Sequence, residues 1–285
     1  YNNIFYILII LSIFMLGFLS DRKVIVSAKQ RFLLQIILIF FSVIFLDLKI
    51  LSSRILFFDN LLELFYFNIL FTCFCLLILI NGSNFIDGLN GLLLIYMTMV
   101  IYILLDTSLL SYTNVKLLFE SEGKYILFLV ITLIVITILN LTNSLMLGDA
   151  GAYVLSFFVG YLIIICHNSN PNVSPYFFIT LLWYPCYENL FSIIRKLKNK
   201  FSPLSPDNNH LHQLIYQKFN KIISNKVLAN NASSILMNIV NSIILLLAAR
   251  YPYESFYQIK IISISIFLYT STFFILNAKI KTLKK

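Results

Sequence analysis

The chain has 285 residues, of which 60% are hydrophobic and 12% are charged, and its formal net charge is +9. Soluble domains average roughly 45–50% apolar and about 25% charged residues, so this composition excludes an ordinary soluble domain and favours a polytopic membrane protein. The apolar runs are continuous and do not alternate with polar residues, which excludes a transmembrane β-barrel and predicts an all-α fold.

Apolar runs of near 20 residues can cross about 30 Å of hydrocarbon as helices. The sequence predicts about nine such spans, at 4–20, 31–47, 61–80, 91–106, 124–141, 151–167, 175–192, 232–249 and 259–277. The first run lacks the charged start and the cleavage site of a signal peptide, so we interpret it as a span. Residues 1–285 are interpreted as a single transmembrane domain that contains a long loop at 193–231.

Lys and Arg are distributed unequally between the two sides of these predicted spans. The connections at 21–31, 81–90, 142–150, 193–231 and 278–285 carry 15 of the 21 basic residues. Basic residues concentrate in cytoplasmic loops. This set of connections, the 193–231 loop and the C-terminus are therefore predicted to face the cytoplasm.

Polar side chains that are far apart in the sequence fall on this same side. They are Asp21, Asp87, Asp149, Asp207, His210 and His212. Glu188 lies inside the seventh predicted span, where an ionised carboxylate is costly unless it is paired or hydrated. Carboxylates grouped beside a bilayer suit Mg²⁺, and a basic loop suits anionic substrates.

Two motifs leave more than one interpretation open. In GDAG, Asp149 stands at a helix start, where it either caps the helix or contributes to an anion and metal site. The run Ser205–Pro206–Asp207 predicts a helix start in the long loop. On that helix His210 and His212 would point about 200° apart and could not share a metal. They are either solvated side chains or groups that contact phosphates and move protons.

Three segments carry a family resemblance. The segments NGSNFIDGLNGLLL (81–94), LGDAGAYVLSFFVG (147–160) and SPLSPDNNHLHQLI (202–215) resemble, in this order, the cytoplasmic signatures of bacterial polyprenyl-phosphate N-acetylhexosamine-1-phosphate transferases. The stretches at 17–35 and 185–196 are similar to two further family segments, so the resemblance runs from Gly17 to about Gln217. The form of the third signature favours the branch that starts O-antigen, teichoic-acid and capsule lipids.

The resemblance implies a role for each matching residue. It implies that Asp149 is a ligand of Mg²⁺, for which Mn²⁺ is an alternative. It implies catalytic roles for Asp21, Asp87, His210 and His212, and substrate-binding roles for Asn81, Asn84, Asn90, Arg31 and Glu188.

The implied reaction transfers a sugar-1-phosphate from a UDP-N-acetylhexosamine to undecaprenyl phosphate and releases UMP, as the first step of cell-surface polysaccharide or glycolipid synthesis. The implied location is the bacterial inner membrane, with the active site in the cytoplasm. The expected partners are the two substrates, the lipid bilayer and a second copy of the chain, but no nucleic acid.

The sequence also departs from the family pattern. Ser20 stands where the family has the first of two paired aspartates, and Asn90 replaces the second acid of its DGxDG segment. The family has about two more spans before Gly17, so residues upstream of Tyr1 are expected. Two other classes remain open. A transporter or flippase would place polar groups near the middle of the bilayer, and a catalytically inactive relative would serve as an assembly subunit.

Overall fold

The computed structural model describes residues 2–107, 109, 124–203, 205 and 209–282. This part of the chain contains twelve α-helices and no strand, so the all-α prediction is confirmed. The helices are α1 (Asn2–Asp21), α2 (Ala28–Phe45), α3 (Leu56–Leu62), α4 (Phe65–Ile86), α5 (Leu92–Asp106), α6 (Lys124–Leu141), α7 (Gly148–Ser169), α8 (Pro175–Leu181), α9 (Trp183–Lys198), α10 (Leu211–Phe219), α11 (Lys226–Arg250) and α12 (Ser255–Thr282).

Six described helices, α1, α2, α4, α7, α11 and α12, are long and apolar enough to cross a membrane. The pair α8 and α9 makes a seventh span if the two helices are taken together. Helix α5 and the apolar part of α6 (Phe128–Leu141) are shorter. Each predicted run therefore corresponds to a helix or to the bent pair, and the chain is a polytopic membrane protein.

The seventh predicted span, 175–192, is not one straight helix, because α8 and α9 meet at an angle of 76°. Pro185 lies in the first turn of α9. In a continuous helix its ring would clash with the carbonyl of Leu181, four residues earlier, so the helix breaks between them. The bend redirects the half of the span that carries Glu188.

Two glycines allow helix backbones to touch at the end of the bundle that carries the acidic residues. A side chain at Gly17 of α1 would overlap the backbone of Ala150 in α7. A side chain at Gly82 of α4 would overlap the carbonyl group of Pro185 in α9. Small residues permit this close approach between membrane helices. The contacts bring the ends of α1, α4, α7 and α9 together.

The opposite end of the bundle is held by Arg54, which lies between α2 and α3. Its guanidinium donates to the carbonyl oxygen of Asn172 at 2.6 Å and to the hydroxyl of Ser255 at 2.9 Å. The sides of the bundle expose large apolar residues such as Phe41 and Phe267, as expected for a surface that faces lipid. The two ends are thus polar and distinct.

Candidate active site

The carboxylate of Asp149, in the first turn of α7, is the centre of a polar cluster. Its Oδ2 atom accepts a hydrogen bond from the Ser20 hydroxyl at 2.5 Å and pairs with the Arg31 guanidinium at 2.7 Å. Its Oδ1 atom accepts a hydrogen bond from the Asn84 amide at 2.5 Å. Helices α1, α2 and α4 therefore all contact one carboxylate on α7.

Asp21, the last residue of α1, caps the start of α7. Its two carboxylate oxygens accept hydrogen bonds from the backbone amides of Asp149 (2.9 Å) and Ala150 (3.1 Å), which have no partner within the helix. Gly148 has a left-handed φ of +65°, and a side chain there would collide with this carboxylate. The cap is therefore Asp21, and the side chain of Asp149 points to Arg31 instead.

Asp87 directly follows α4 as its C-cap residue, and it is half-buried. Burial raises the pKa of its carboxyl group well above the usual value, and the negative charges of Asp149 and Asp21 raise it further. Three of the five residues for which the sequence predicts metal or catalytic roles are thus close together, and the charges of Asp21 and Asp149 repel that of Asp87. A bound cation would relieve this repulsion.

The donor atoms of this cluster suit magnesium. Among the described residues, no group of three or more His, Cys, Asp or Glu side chains is arranged to hold a metal ion by itself. Mg²⁺ is usually bound through one or two carboxylates, while waters and substrate phosphates complete its shell. Asp149, with Asp87 near enough to sense its charge, fits this pattern.

A cavity of about 300 Å³ lies beside the cluster. The predicted site residues Arg31, Asn81, Asn84 and His210 line it, together with Gln35 and Lys196. The amide nitrogen of Asn81 donates to the carbonyl of Leu77 within α4. Residues of α2, α4, α9 and α10 and the loop before α10 therefore form one pocket with polar side chains in its wall, which could hold a phosphorylated ligand next to Asp149.

Sequence reasoning missed Lys196, which is buried near the end of α9. Its ammonium group donates to the carbonyl oxygens of Pro203 (3.1 Å) and Ser205 (2.7 Å), and it lies over the ring of Phe85. Lys196 thus fixes the loop that leads to the histidines. The signal that could have identified it is the cluster of basic residues in SIIRKLK, at the end of α9 and close to the loop with the histidines.

His210 forms a buried pair with Glu188. The Nδ1 atom of His210 lies 2.8 Å from a carboxylate oxygen of Glu188, and the two side chains are almost inaccessible to solvent. The pairing explains how an acid is tolerated inside a predicted span. Glu188 lies behind His210 and not among the residues that line the cavity, so any contact between Glu188 and a substrate stays a prediction.

His212 is completely buried, and its ring stacks on that of His210 with an angle of 11° between the planes. The expectation that the two rings point about 200° apart is wrong, because His210 precedes helix α10 and has an extended backbone. Burial lowers the pKa of His212 to about 4, so the ring is neutral near pH 7. Its predicted catalytic role stays a prediction.

The long loop forms its helix later than the sequence predicted. Helix α10 begins at Leu211, where the backbone amide of His210 donates to the side chain of Gln213. The predicted start was at Ser205; Pro206 and Asp207 lie outside the described residues. The sequence prediction looked for Ser, Thr, Asp or Asn at the helix start. It missed this start because the capping box is formed by His210 and Gln213.

The turn that carries Asn90 is held by two further asparagines that sequence reasoning missed. The backbone amide of Asn90 donates to Asn230 at 2.8 Å, and that of Gly91 donates to Asn140 at 2.5 Å. Gly91 has a left-handed φ of +74°. The predicted substrate contact of the Asn90 side chain stays a prediction, while Asn140 and Asn230 fix the segment that follows Asp87.

The substitution Ser20→Asp tests the position at which the family has an acid. The Ser20 hydroxyl accepts a hydrogen bond from Arg31 at 2.9 Å and donates to Asp149. An aspartate would compete for Arg31 and repel Asp149. We expect lipid product per minute at saturating substrates to change by less than about tenfold, below the roughly 10²–10⁴-fold effect of a general base. A gain above about 10³-fold would show that the missing acid is essential.

The sequence profile of glycosyl transferase family 4 matches residues 3–167. An undecaprenyl-phosphate alpha-N-acetylglucosaminyl 1-phosphate transferase of Yersinia pestis is 27% identical over 163 residues, which cover 52% of this chain and 41% of the relative. The enzyme of the same name from Escherichia coli O157:H7 is 26% identical over 213 residues, covering 70% of this chain and 54% of the relative. A probable undecaprenyl-phosphate N-acetylglucosaminyl 1-phosphate transferase of Bacillus subtilis is 24% identical, with coverage of 70% and 54%. The chain spans about half the length of these relatives.

Proposed function

Because the chain belongs to glycosyl transferase family 4, we propose that it transfers an N-acetylhexosamine-1-phosphate from a UDP-sugar to undecaprenyl phosphate and releases UMP. The observation that carries the proposal is the convergence of Asp149, Arg31 and Asn84 beside a cavity at one end of a membrane bundle. Such a site can hold a charged donor while the acceptor stays in the bilayer. The product would be the first lipid intermediate of a cell-surface polysaccharide or glycolipid.

In the proposed reaction, a phosphate oxygen of the lipid attacks the β-phosphorus of the UDP-sugar. A new bond joins the two phosphates, and the bond from the β-phosphorus to the bridging oxygen breaks, so that UMP leaves with that oxygen. Positioning and charge stabilisation account for most of the catalysis of phosphoryl transfer. No intermediate attached to the protein is needed.

The residues in and beside the cavity would hold and orient the reactants. The planar guanidinium of Arg31 can donate two parallel hydrogen bonds to a phosphate. Mg²⁺ bound at Asp149, with Mn²⁺ as an alternative, would neutralise charge on the diphosphate. Glu188 favours the His210 tautomer with its proton on Nδ1, in which Nε2 is the ring nitrogen that can accept a proton or a hydrogen bond. Lys196 keeps the loop with His210 in place.

The position of the cluster favours this function over transport. A secondary transporter is expected to bind its substrate near the bilayer midplane, between repeats. Here Asp21, Asp87 and Asp149 lie at helix ends, on one side of the bundle.

Conversion of radiolabelled UDP-N-acetylglucosamine into an organic-extractable lipid tests the proposal directly. Membranes that contain the chain, supplied with undecaprenyl phosphate and Mg²⁺, should form labelled lipid and release UMP. A matched membrane preparation that lacks the chain provides the blank. Labelled lipid that does not exceed this blank would contradict the transferase and favour an inactive relative that serves in assembly.

We further propose that the site faces the cytoplasm of a bacterial inner membrane, because most basic residues lie at that end. A cysteine introduced at exposed Asn209 should then react with an impermeant maleimide only in inverted vesicles. A cysteine at exposed Asn172, beside Arg54, should react only in intact spheroplasts. The opposite pattern would overturn the orientation. The four native cysteines, measured in the parent chain, give the background.

A further inference from the structure

Gln35 is a buried polar residue that the proposed mechanism does not use. It lines the cavity beside Asp149, its exposed fraction is 3%, and neither its amide nitrogen nor its amide oxygen has a hydrogen-bond partner among the described residues. Buried polar side chains in native proteins almost always have a partner. The amide therefore lacks a group that a ligand in the cavity could supply.

The position of Gln35 in helix α2 indicates which ligand. Arg31 and Gln35 both line the cavity and are four residues apart, so Gln35 lies about 6 Å further along the helix, towards the apolar part of the bundle. On the outer side of α2, Leu33, Leu34 and Ile36 are exposed as lipid-facing residues. The cavity wall formed by α2 is thus the wall next to the bilayer.

We infer that Gln35 and Arg31 together bind the phosphate group of the lipid acceptor. This inference rests on the proposed function. A lipid phosphate must stay near the depth at which its hydrocarbon chain enters the bilayer, whereas a soluble nucleotide enters from the water side.

The chemistry of the two side chains also fits a nucleophilic phosphate. A guanidinium supplies charge, and a neutral amide donates a hydrogen bond to a second phosphate oxygen without neutralising it. The reacting oxygen therefore keeps enough negative charge to attack the β-phosphorus of the donor. A second cation at the position of Gln35 would weaken that oxygen as a nucleophile.

The substitution Gln35→Met tests the inference, because methionine has a similar length and no hydrogen-bonding amide. At saturating UDP-N-acetylglucosamine, the KM for undecaprenyl phosphate should rise about 10- to 100-fold, as expected for the loss of a hydrogen bond to a charged group. The KM for the donor should stay within about twofold. The matched control is Gln30→Met, an exposed glutamine in the first turn of the same helix, which should change neither KM. An unchanged KM for the acceptor, or an equal rise for both substrates, would overturn the inference.

Direct binding separates this inference from the proposed function. The purified wild-type chain in detergent should retain radiolabelled undecaprenyl phosphate. The amount of lipid that Gln35→Met retains should be lower by at least about tenfold. If the wild type retains the lipid and Gln35→Met retains about tenfold less, but the wild type forms no product, the proposed function fails and the binding role of Gln35 stands. If product forms but lipid binding is equal in the two proteins, the inference alone fails. Should Gln35→Met not accumulate in membranes, Gln35→Asn, whose amide is one methylene shorter, should show the same acceptor defect, and wild-type acceptor binding in that variant would overturn the inference.

Discussion

Asp149→Asn is expected to abolish sugar-phosphate transfer, with a loss of about 10³-fold or more in turnover at saturating Mg²⁺. Asparagine has nearly the same shape as aspartate. Its amide nitrogen, however, cannot accept the hydrogen bonds that Arg31 and Ser20 donate to Asp149, and its neutral side chain neither pairs with the charge of Arg31 nor binds a cation. The measurement is labelled lipid formed per minute by equal amounts of membrane-inserted protein. A variant that retains a tenth of wild-type turnover would contradict the proposal that Asp149 is a metal ligand.

The control for this loss is Asp47→Asn at the opposite end of the bundle. Asp47 is exposed, pairs with Lys49 and has a left-handed φ of +48°, which asparagine also tolerates. Its replacement should leave turnover within about twofold. Thermal unfolding gives a second readout, because a ligand that binds the folded state stabilises it. Mg²⁺ should raise the unfolding temperature of the wild type and of Asp47→Asn, but not that of Asp149→Asn.

Much of the fold could be predicted from the sequence because the bilayer allows few alternatives. Backbone groups in hydrocarbon must bond within their own helix, so the long apolar runs become helices, one of them in two bent parts. The unequal distribution of basic residues then predicted that Asp21, Asp87 and Asp149 share one end of the bundle. The structure brings these three acids together, with Arg31 and Asn84 among them.

The details that sequence reasoning missed depend on packing between distant helices. The bend before Pro185 turns Glu188 toward His210, and no local pattern shows that these two side chains will pair. Asn140 holds the backbone of Gly91 across 49 positions of sequence, and Asn84 reaches Asp149 across 65. An isolated asparagine or glutamine in an apolar run indicates a polar contact but does not identify the partner.

The contacts also revise the meaning of the departure at Ser20. A serine in place of an acid suggested a weakened site, but its hydroxyl connects Arg31 to Asp149 without adding negative charge. Asp21, the acid that remains, uses both of its oxygens to cap α7. Of these two neighbouring positions, Asp21 therefore caps the start of α7 and Ser20 connects Arg31 to Asp149.

Asp87→Asn is expected to slow transfer by about 10²-fold or more, as for the loss of one electrostatic stabiliser, and at the same time to make the protein more heat-stable. Its raised pKa means that ionised Asp87 costs more free energy in the folded than in the unfolded chain, because of burial and the charges of Asp149 and Asp21. The folded state therefore retains a proton that the unfolded chain has already released. The stability that this proton provides is fully present below the unfolded pKa and is lost as the pH rises through the raised folded pKa.

The variant cannot ionise at this position, so its advantage over the wild type should depend on pH. Without Mg²⁺, the unfolding temperature of Asp87→Asn should exceed that of the wild type by a few degrees at pH 8, and the difference should vanish near pH 4. Saturating Mg²⁺ should shrink the difference at pH 8, since the cation offsets the repulsion that destabilises the wild type.

The matched control is Asp106→Asn, which replaces an exposed acid at the end of α5 on the opposite side and should show no such pH dependence. A variant that is slower but no more stable than the wild type at any pH would show that the charges of Asp149 and Asp21 do not destabilise ionised Asp87.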